Sequence, residues 1–322
     1  MSWKTEYPRV LLKRDNITIL DEGWTLNGTK INMPYPPQSE LSGYGQKVKN
    51  HLSYEVAFEV LEWDENEDIV LHFGAVDQVA DVYVNQIFVG HHEGGYLPFS
   101  FHIAKALKPN YNILQVDVTD TLNRKYPYGK QSRSPHGMWY TQVSGIWQSV
   151  WLERVPRKAI KALYISTTMT TLTLDVDTTS ATYDVLIKDT DNQPVWQKEG
   201  IDSTVAFTVD FCEEGLDMKL WDTEHPYLYN LELFTKTDHV YSYFGLREIK
   251  VLENNQIALN NQPVFLHGIL DQGYFPEGIF LPKDPGEYEK DVLRMKELGF
   301  NMIRKHVKVE PEQFYYACDK HG

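Results

Sequence analysis

Residues 263–322 read PVFLHGILDQGYFPEGIFLPKDPGEYEKDVLRMKELGFNMIRKHVKVEPEQFYYACDKHG, and this stretch decides the architecture. Pro263-Val264-Phe265 is a short apolar run that, with Ile257-Ala258-Leu259 and Asn260-Asn261 before it, predicts a small hairpin or the entry strand. Tyr288, Val292, Met295 and Leu298 then step by four and three along one helix face, with Gly299 as the stop. Asn301-Met302-Ile303 predicts a second strand. Pro311 opens a second helix, Phe314 and Cys318 share a face on it, and Gly322 closes it. Strand, loop, helix repeated twice is the opening of a parallel βα array. The connection between the two strands has the length of one βαβ crossover. A third strand is expected after Gly322, so the chain reads as stopping early in a third unit.

Upstream of this stretch the period changes from the helical one to two. Tyr54, Val56, Phe58 and Val60 alternate with Glu55, Ala57 and Glu59. A compact apolar run covers residues 69–73, and Asn85-Gln86 predicts a hairpin turn between Val82, Val84 and Ile87, Val89. Leu114, Val116 and Val118 alternate again, and residues 146–152 close the set with Trp147 and Trp151. Residues 1–50 read as irregular apart from a strand near 17–20. Short strands with long loops predict a jelly-roll sandwich over 1–155. Arg154-Val155-Pro156-Arg157 reads as a linker. Leu172, Leu174 and Val176, then Tyr183, Val185 and Ile187, then Tyr229, Leu231 and Leu233, predict an immunoglobulin-like sandwich over 156–250. The expected fold is therefore mainly β: jelly-roll, immunoglobulin-like sandwich, then over 251–322 the first two βα units of a (β/α)8 barrel.

Composition narrows the function. The 322 residues carry a formal net charge of -14, so there is no basic excess to displace counterions from a nucleic acid or to seek an anionic membrane. Cys212 and Cys318 lack metal-binding spacing and predict no disulfide framework. Residues 1–6 hold no apolar leader core, and no run approaches the length of a membrane span, so the cytoplasm is the expected compartment. Aromatic residues make up 13% of the chain, which suits sheet packing first and stacking on sugar faces second.

In a βα barrel, chemistry gathers just after the strands. Two such positions exist. One holds Leu266-His267-Gly268-Ile269-Leu270-Asp271-Gln272-Gly273-Tyr274, the other Arg304-Lys305-His306. Asp271 can accept from two adjacent hydroxyls, Arg304 can donate several hydrogen bonds, and His306 can shuttle a proton near neutral pH. On residue type alone each has a plainer reading: a turn former, an ion-pair partner and a loop histidine. No nucleophile elbow, phosphate loop, CxxC or HExxH is present.

Gly299-Phe300-Asn301-Met302-Ile303-Arg304, followed by Phe314-Tyr315, Asp319 and Gly322, resembles glycoside hydrolase family 2, the family of β-galactosidases, β-glucuronidases and β-mannosidases. So do Phe73-Gly74-Ala75-Val76-Asp77, the run from Gly90 to Phe99, and Ser144-Gly145-Ile146-Trp147-Gln148, which are similar to its sugar-binding domain. The resemblance implies the N-terminal part of a retaining β-glycosidase, β-galactosidase-like, with two catalytic glutamates on later barrel strands. It implies no catalytic residue in this chain and substrate-binding roles for Asp271, Arg304 and His306; no metal site and no cofactor are expected in the chain itself, and the metal dependence of the complete enzyme stays open. Expected partners are a carbohydrate substrate, the remainder of the barrel and, in a homo-oligomer, further copies of the chain. The family usually reads Arg, two small residues and His-Tyr-Pro where this chain reads Arg304-Lys305-His306-Val307, so the sugar stays open. The alternative is a non-catalytic carbohydrate-binding or oligomer-interface module. By itself the chain is expected to be inactive.

Overall fold

A computed structural model describes residues 3, 7–60, 63–64, 66–253 and 255–322. Of the leading residues 1–6, read above for a leader, all but Trp3 lie outside the described residues. The chain is mainly β. Its first sandwich faces a six-stranded sheet against a four-stranded one. In the larger sheet His51–Val60 pairs antiparallel with Asn110–Thr119, placing Tyr54 opposite Val116 and Val56 opposite Leu114. The alternation read from the sequence is the burial pattern observed: every second residue of His51–Val60 is buried. Asn85 and Gln86 form the expected turn, both at positive φ. The smaller sheet runs in the order Ile17–Ile19, Val150–Pro156, Glu67–Phe73, Phe99–His102. Trp24, Tyr54, Leu71, Phe73 and Ile146 lie in the core between the sheets.

Two local expectations change. Residues 1–50 are not irregular throughout, because Thr25–Leu26 and Thr29–Lys30 form a small hairpin on the edge of the larger sheet. Residues 154–156 are not a free linker, because the strand Val150–Pro156 continues through them, with Val155 paired to Asp68 and buried.

One end of the first sandwich holds a buried acid. Asp77 is 2% exposed, and its Oδ2 accepts from Gln131 Nε2 at 3.1 Å. Burial, and next the Asp120 carboxylate, push its carboxyl up to about 8, against the opposing Gln131 bond. A carboxyl raised on folding stabilises the fold fully below its ordinary value, and that contribution is lost as pH rises through the folded value. Stability should therefore fall between about pH 4 and pH 8. Asp77→Asn keeps the shape and removes the ionisation. Its thermal midpoint should gain on the parent's as pH rises through this window; a constant gap would remove Asp77 as the cause.

The second sandwich packs the sheet Ile160–Thr167, Thr171–Thr178, Phe207–Asp210 against the sheet Pro194–Asp202, Thr182–Lys188, Tyr229–Phe234, His239–Phe244. Tyr229 and Phe244 stack with centroids 5.1 Å apart, and Phe211 stands edge-on to Tyr229 at 5.5 Å. The segment before the first strand joins the two sandwiches. Arg14 forks onto Asp238 at 3.0 and 2.9 Å, reaches Glu153 at 3.0 Å and donates to the Ile160 carbonyl. Burial works against the Glu153 carboxylate. His72 Nε2, 3.4 Å from the carboxylate, and the charges of Arg9 and Arg14 outweigh it and hold Glu153 at about 2.

Beyond Phe244, Ile249–Val251, Ile257–Leu259 and Gln262–Pro263 make a small antiparallel sheet. Then Gly268–Asp271 pairs parallel with Met302–Lys305, with helix α1, Gly286–Glu297, between them; helix α2, Glu312–His321, follows. The first parallel strand is thus Gly268–Asp271 and not 263–265. Pro263 belongs to the antiparallel hairpin opposite Ala258, and Phe265 is 82% exposed. Gly299 at φ 86 and Gly322 at φ 83 follow the two helices as expected, whereas Leu298, placed on the buried face by its spacing, lies exposed past the end of α1. Tyr288, Phe314, Phe280 and Leu281 share a core with Ala75, Tyr96, Val143 and Trp147 of the first sandwich. The last turn of α2 leans on the second sandwich: Trp221 Nε1 donates to the Asp319 carbonyl at 2.6 Å, and Tyr243 Oη to its carboxylate at 2.9 Å. No described helix is long and apolar enough to cross a membrane.

Candidate functional site

The register of the parallel pair sets the site. Leu270 lies opposite Arg304, and Asp271 opposite Lys305. Successive strand residues point to opposite faces. Ile303 packs into the core shared with the helices, and Lys305 Nζ stands 4.4 Å from the centroid of Phe314 on α2. The Lys305 side therefore faces the helices. Leu270, half exposed, and Arg304, exposed, lie on the other face.

Asp271, Arg304 and His306 meet at one rim in their backbones: the His306 N–H donates to the Asp271 carbonyl at 2.8 Å. Their side chains do not converge. Asp271 turns to the helix side, where its Oδ2 pairs with Lys305 Nζ at 2.5 Å and its Oδ1 accepts from the Gly273 N–H at 2.8 Å. The His306 ring stands edge-on to Tyr140, with centroids 6.2 Å apart. Tyr140 itself stacks on Tyr274 at 4.6 Å. It comes from the long excursion that leaves the first sandwich after Thr119, so that sandwich helps to wall the rim.

Behind the rim runs an alternating string of charges. Lys305 Nζ bridges Asp271 and Glu310 Oε1, each at 2.5 Å. Glu310 Oε2 pairs with Lys308 Nζ at 2.9 Å and accepts from Tyr288 Oη at 3.0 Å. Lys308 Nζ also donates to the carbonyls of Gly273 and Phe280. Burial lowers the Lys308 amine to about 8, against the pull of Glu310. A buried charge persists only when it is paired and hydrogen-bonded, and each member here is. Gly273, at φ +65, is required: a Cβ there would come within 2.2 Å of Glu310 Oε1 and 2.7 Å of Lys305 Nζ. The string locks the two loops that follow the parallel strands and leaves the Arg304 guanidinium as the cation on the open face. A guanidinium there can hold a carboxylate or adjacent hydroxyls through paired N–H donors. Among the described residues no group of three or more His, Cys, Asp or Glu is placed to hold a metal ion.

Sequence reasoning missed Lys305, Lys308, Glu310 and Tyr140. The first three carry a readable signal, two lysines and an acid closely spaced after a strand. Tyr140 carries none, since its position depends on the path of the excursion.

Comparison with known proteins gives the family. Residues 26–154 match the glycosyl hydrolase 2 galactose-binding domain-like model, and residues 158–247 match the model for glycosyl hydrolases family 2. The chain belongs to glycoside hydrolase family 2. It is 28% identical over 289 residues to a β-galactosidase of Thermoanaerobacter pseudethanolicus, covering 84% of the chain and 38% of that relative. A β-galactosidase of Thermoanaerobacterium thermosulfurigenes is 26% identical over 99% of the chain and 46% of its own length. The family 2 chain thus spans less than half the length of these relatives. In fold it is similar to a Faecalibacterium prausnitzii β-glucuronidase, with a TM-score of 0.77 at 22% identity over 98% of the chain and 60% of that structure. A β-D-glucuronidase of Dictyoglomus thermophilum gives 0.77 at 20% identity, over 98% of the chain and 58% of that structure.

Proposed function

We propose that this chain is the N-terminal part of a retaining β-glycosidase, β-galactosidase-like, that hydrolyses O-glycosidic bonds of β-linked sugars. Its units are a jelly-roll at 1–155, an immunoglobulin-like sandwich at 156–250 and, from 251, the first two βα units of a (β/α)8 barrel. The observation that carries the reading is the parallel pairing of Gly268–Asp271 with Met302–Lys305, with Arg304 on its open face, behind two family 2 units in this order. In a βα barrel the face away from the helices is the interior, and the carboxyl ends of its strands form the active-site rim. Arg304 binds substrate or fixes a neighbouring carboxylate, His306 and Tyr140 wall the subsite, and Asp271 holds the rim through Lys305. The two carboxyl groups of a retaining mechanism stand about 5–5.5 Å apart and come from the remainder of the barrel. That remainder docks on the open face and edges of the parallel pair, where Leu266 and Leu270 are exposed.

The test joins the chain to a family 2 barrel remainder and assays chromogenic β-galactoside and β-glucuronide. The joined protein should turn over and the chain alone should match the blank. Arg304→Ala in the joined protein should lower kcat/KM by about a hundredfold with the fold intact. An unchanged rate would take Arg304 out of the site. Sugar binding without turnover in the joined protein would favour the binding-module reading.

A further inference from the structure

Tyr140 reaches the rim on a long excursion. Residues 120–144 hold two strands of two residues each, Gln131–Ser132 and Tyr140–Thr141, which pair in parallel with Gln131 opposite Tyr140. A connection of such length ordinarily either carries function or stays loose. This one rests on both loops that follow the parallel strands of the βα units. Tyr140 stacks on Tyr274 of the first loop at 4.6 Å and meets His306 of the second at 6.2 Å. Gly129, at φ +56, lies against the second loop as well: a Cβ there would come within 2.7 Å of the Val307 carbonyl oxygen. Residues 133–138, at the tip, are exposed. A two-stranded pair this small is marginal by itself, so the hold must come from below.

That hold is a buried amide. Gln131, 2% exposed, accepts from the Val143 N–H at 2.6 Å through Oε1 and donates from Nε2 to Asp77 Oδ2 at 3.1 Å. A backbone N–H can only donate, so Val143 fixes the amide's orientation and leaves Nε2 for the acid. Asp77 belongs to the strand Val76–Asp77 in the body of the sandwich. One side chain thus ties together the strand that pairs with Tyr140, the backbone just beyond Tyr140 and the sandwich itself. Asp120 closes the base of the excursion, accepting from Gln142 Nε2 and Ser144 Oγ, each at 2.6 Å. Hydrogen bonds shielded from water in this way are costly to break, because the groups left behind stay unpaired.

We propose that Gln131 is a positioning residue of the rim: its amide sets where Tyr140 stands against Tyr274 and His306, and so where the first sandwich places its wall of the subsite. The role of Tyr140 as a wall rests on the function proposed above; the hold on Tyr140 does not. Leucine in place of the amide leaves the Val143 N–H and Asp77 without partners. A neutral carboxyl can stand in for the amide, its carbonyl oxygen accepting from Val143 and its O–H donating to Asp77. A carboxylate cannot. Burial, with Asp77, Asp120 and Tyr96 nearby, raises such a carboxyl, and once ionised it repels Asp77.

Fluorotyrosine labelling of the chain tests this. The Tyr140 ¹⁹F resonance, assigned by its loss in Tyr140→Phe, should move in Gln131→Leu to the position of a solvent-exposed tyrosine. The Tyr229 resonance of the second sandwich, assigned likewise, should stay in place. Gln131→Glu should show the parent's Tyr140 resonance at about pH 5 and lose it, reversibly, at about pH 9. The parent, whose amide donates to Asp77 in either ionisation state, should keep it at both. Gln131→Glu decides the matter if Gln131→Leu fails to fold. An unmoved Tyr140 resonance in folded Gln131→Leu would overturn the proposal, and so would a Gln131→Glu resonance that is the same at both pH values. In the joined protein Gln131→Leu should raise KM about fivefold with kcat nearly unchanged, the loss of one aromatic contact made alike in ground and transition state. An unchanged KM beside a displaced Tyr140 resonance would take Tyr140 out of the subsite and leave the hold of Gln131 on it standing.

Discussion

Arg14→Ala should lower the stability of the chain by about 3–5 kcal/mol, the loss typical of a buried ion pair stripped of one partner. The guanidinium reaches both sandwiches through charge-assisted bonds at this joint: Glu153 on one side, Asp238 and the Ile160 carbonyl on the other. Without it two carboxylates, 1% and 7% exposed, face each other across the joint, with Arg9 only 3.7 Å from one of them. Lysine is no substitute, because a point charge cannot reproduce the fork. The sign of the pH response also reverses. In the parent, Glu153 is held down at about 2, so its contribution is present above the ordinary carboxylate value and is lost as pH falls. In Arg14→Ala protonation relieves the repulsion, and the deficit should shrink in acid. The midpoint of denaturant unfolding at neutral and acidic pH checks both statements. A loss below about 1 kcal/mol would show that solvent reaches the pair.

Trp147→Ala is expected to cost a similar amount, about 3–5 kcal/mol. Trp147 is fully buried, donates from Nε1 to the Gly95 carbonyl at 2.8 Å and meets Phe280 edge-on at 4.9 Å. It belongs by sequence to the first sandwich and by packing to the core shared with the parallel pair and its helices. Truncation should therefore act unevenly. Residues 263–322 should become accessible to protease at concentrations that leave residues 160–244 intact. Uniform digestion of all three units would mean that Trp147 serves only its own sandwich.

Much of this was legible in the chain, because both sandwiches rest on period-two patterns whose apolar members are the ones buried. The edge hairpin at residues 25–30 was also legible and was overlooked: Asn27-Gly28 is the strongest short hairpin signal there is, and both residues take positive φ. The first parallel strand was misplaced by a few residues because Pro-Val-Phe is the more apolar run. Gly268–Asp271 is a strand only by virtue of its partner, which lies across a crossover and which no local pattern specifies. The same holds for the rim. Residue types named Asp271, Arg304 and His306, but the face each side chain takes depends on register. A shift of one residue exchanges the faces, and Asp271 went to the helices while Arg304 did not. Trp147 and Tyr140 show the remaining gap, since contacts between units leave no periodic trace.

The Lys308 amine has a further consequence. Its amine is lowered to about 8, so near that pH a good share of it is the neutral, nucleophilic form that acylating reagents attack. Yet its side chain is 1% exposed, closed in by Glu310, two carbonyls and the rings of Phe280 and Trp147. Reactivity and access are thereby opposed in one atom. The amine stays silent while the βα units rest on the first sandwich; once they lift away it gains access but, with burial gone, returns to an ordinary lysine's basicity. The chain carries its own chemical clock for the opening of that seam.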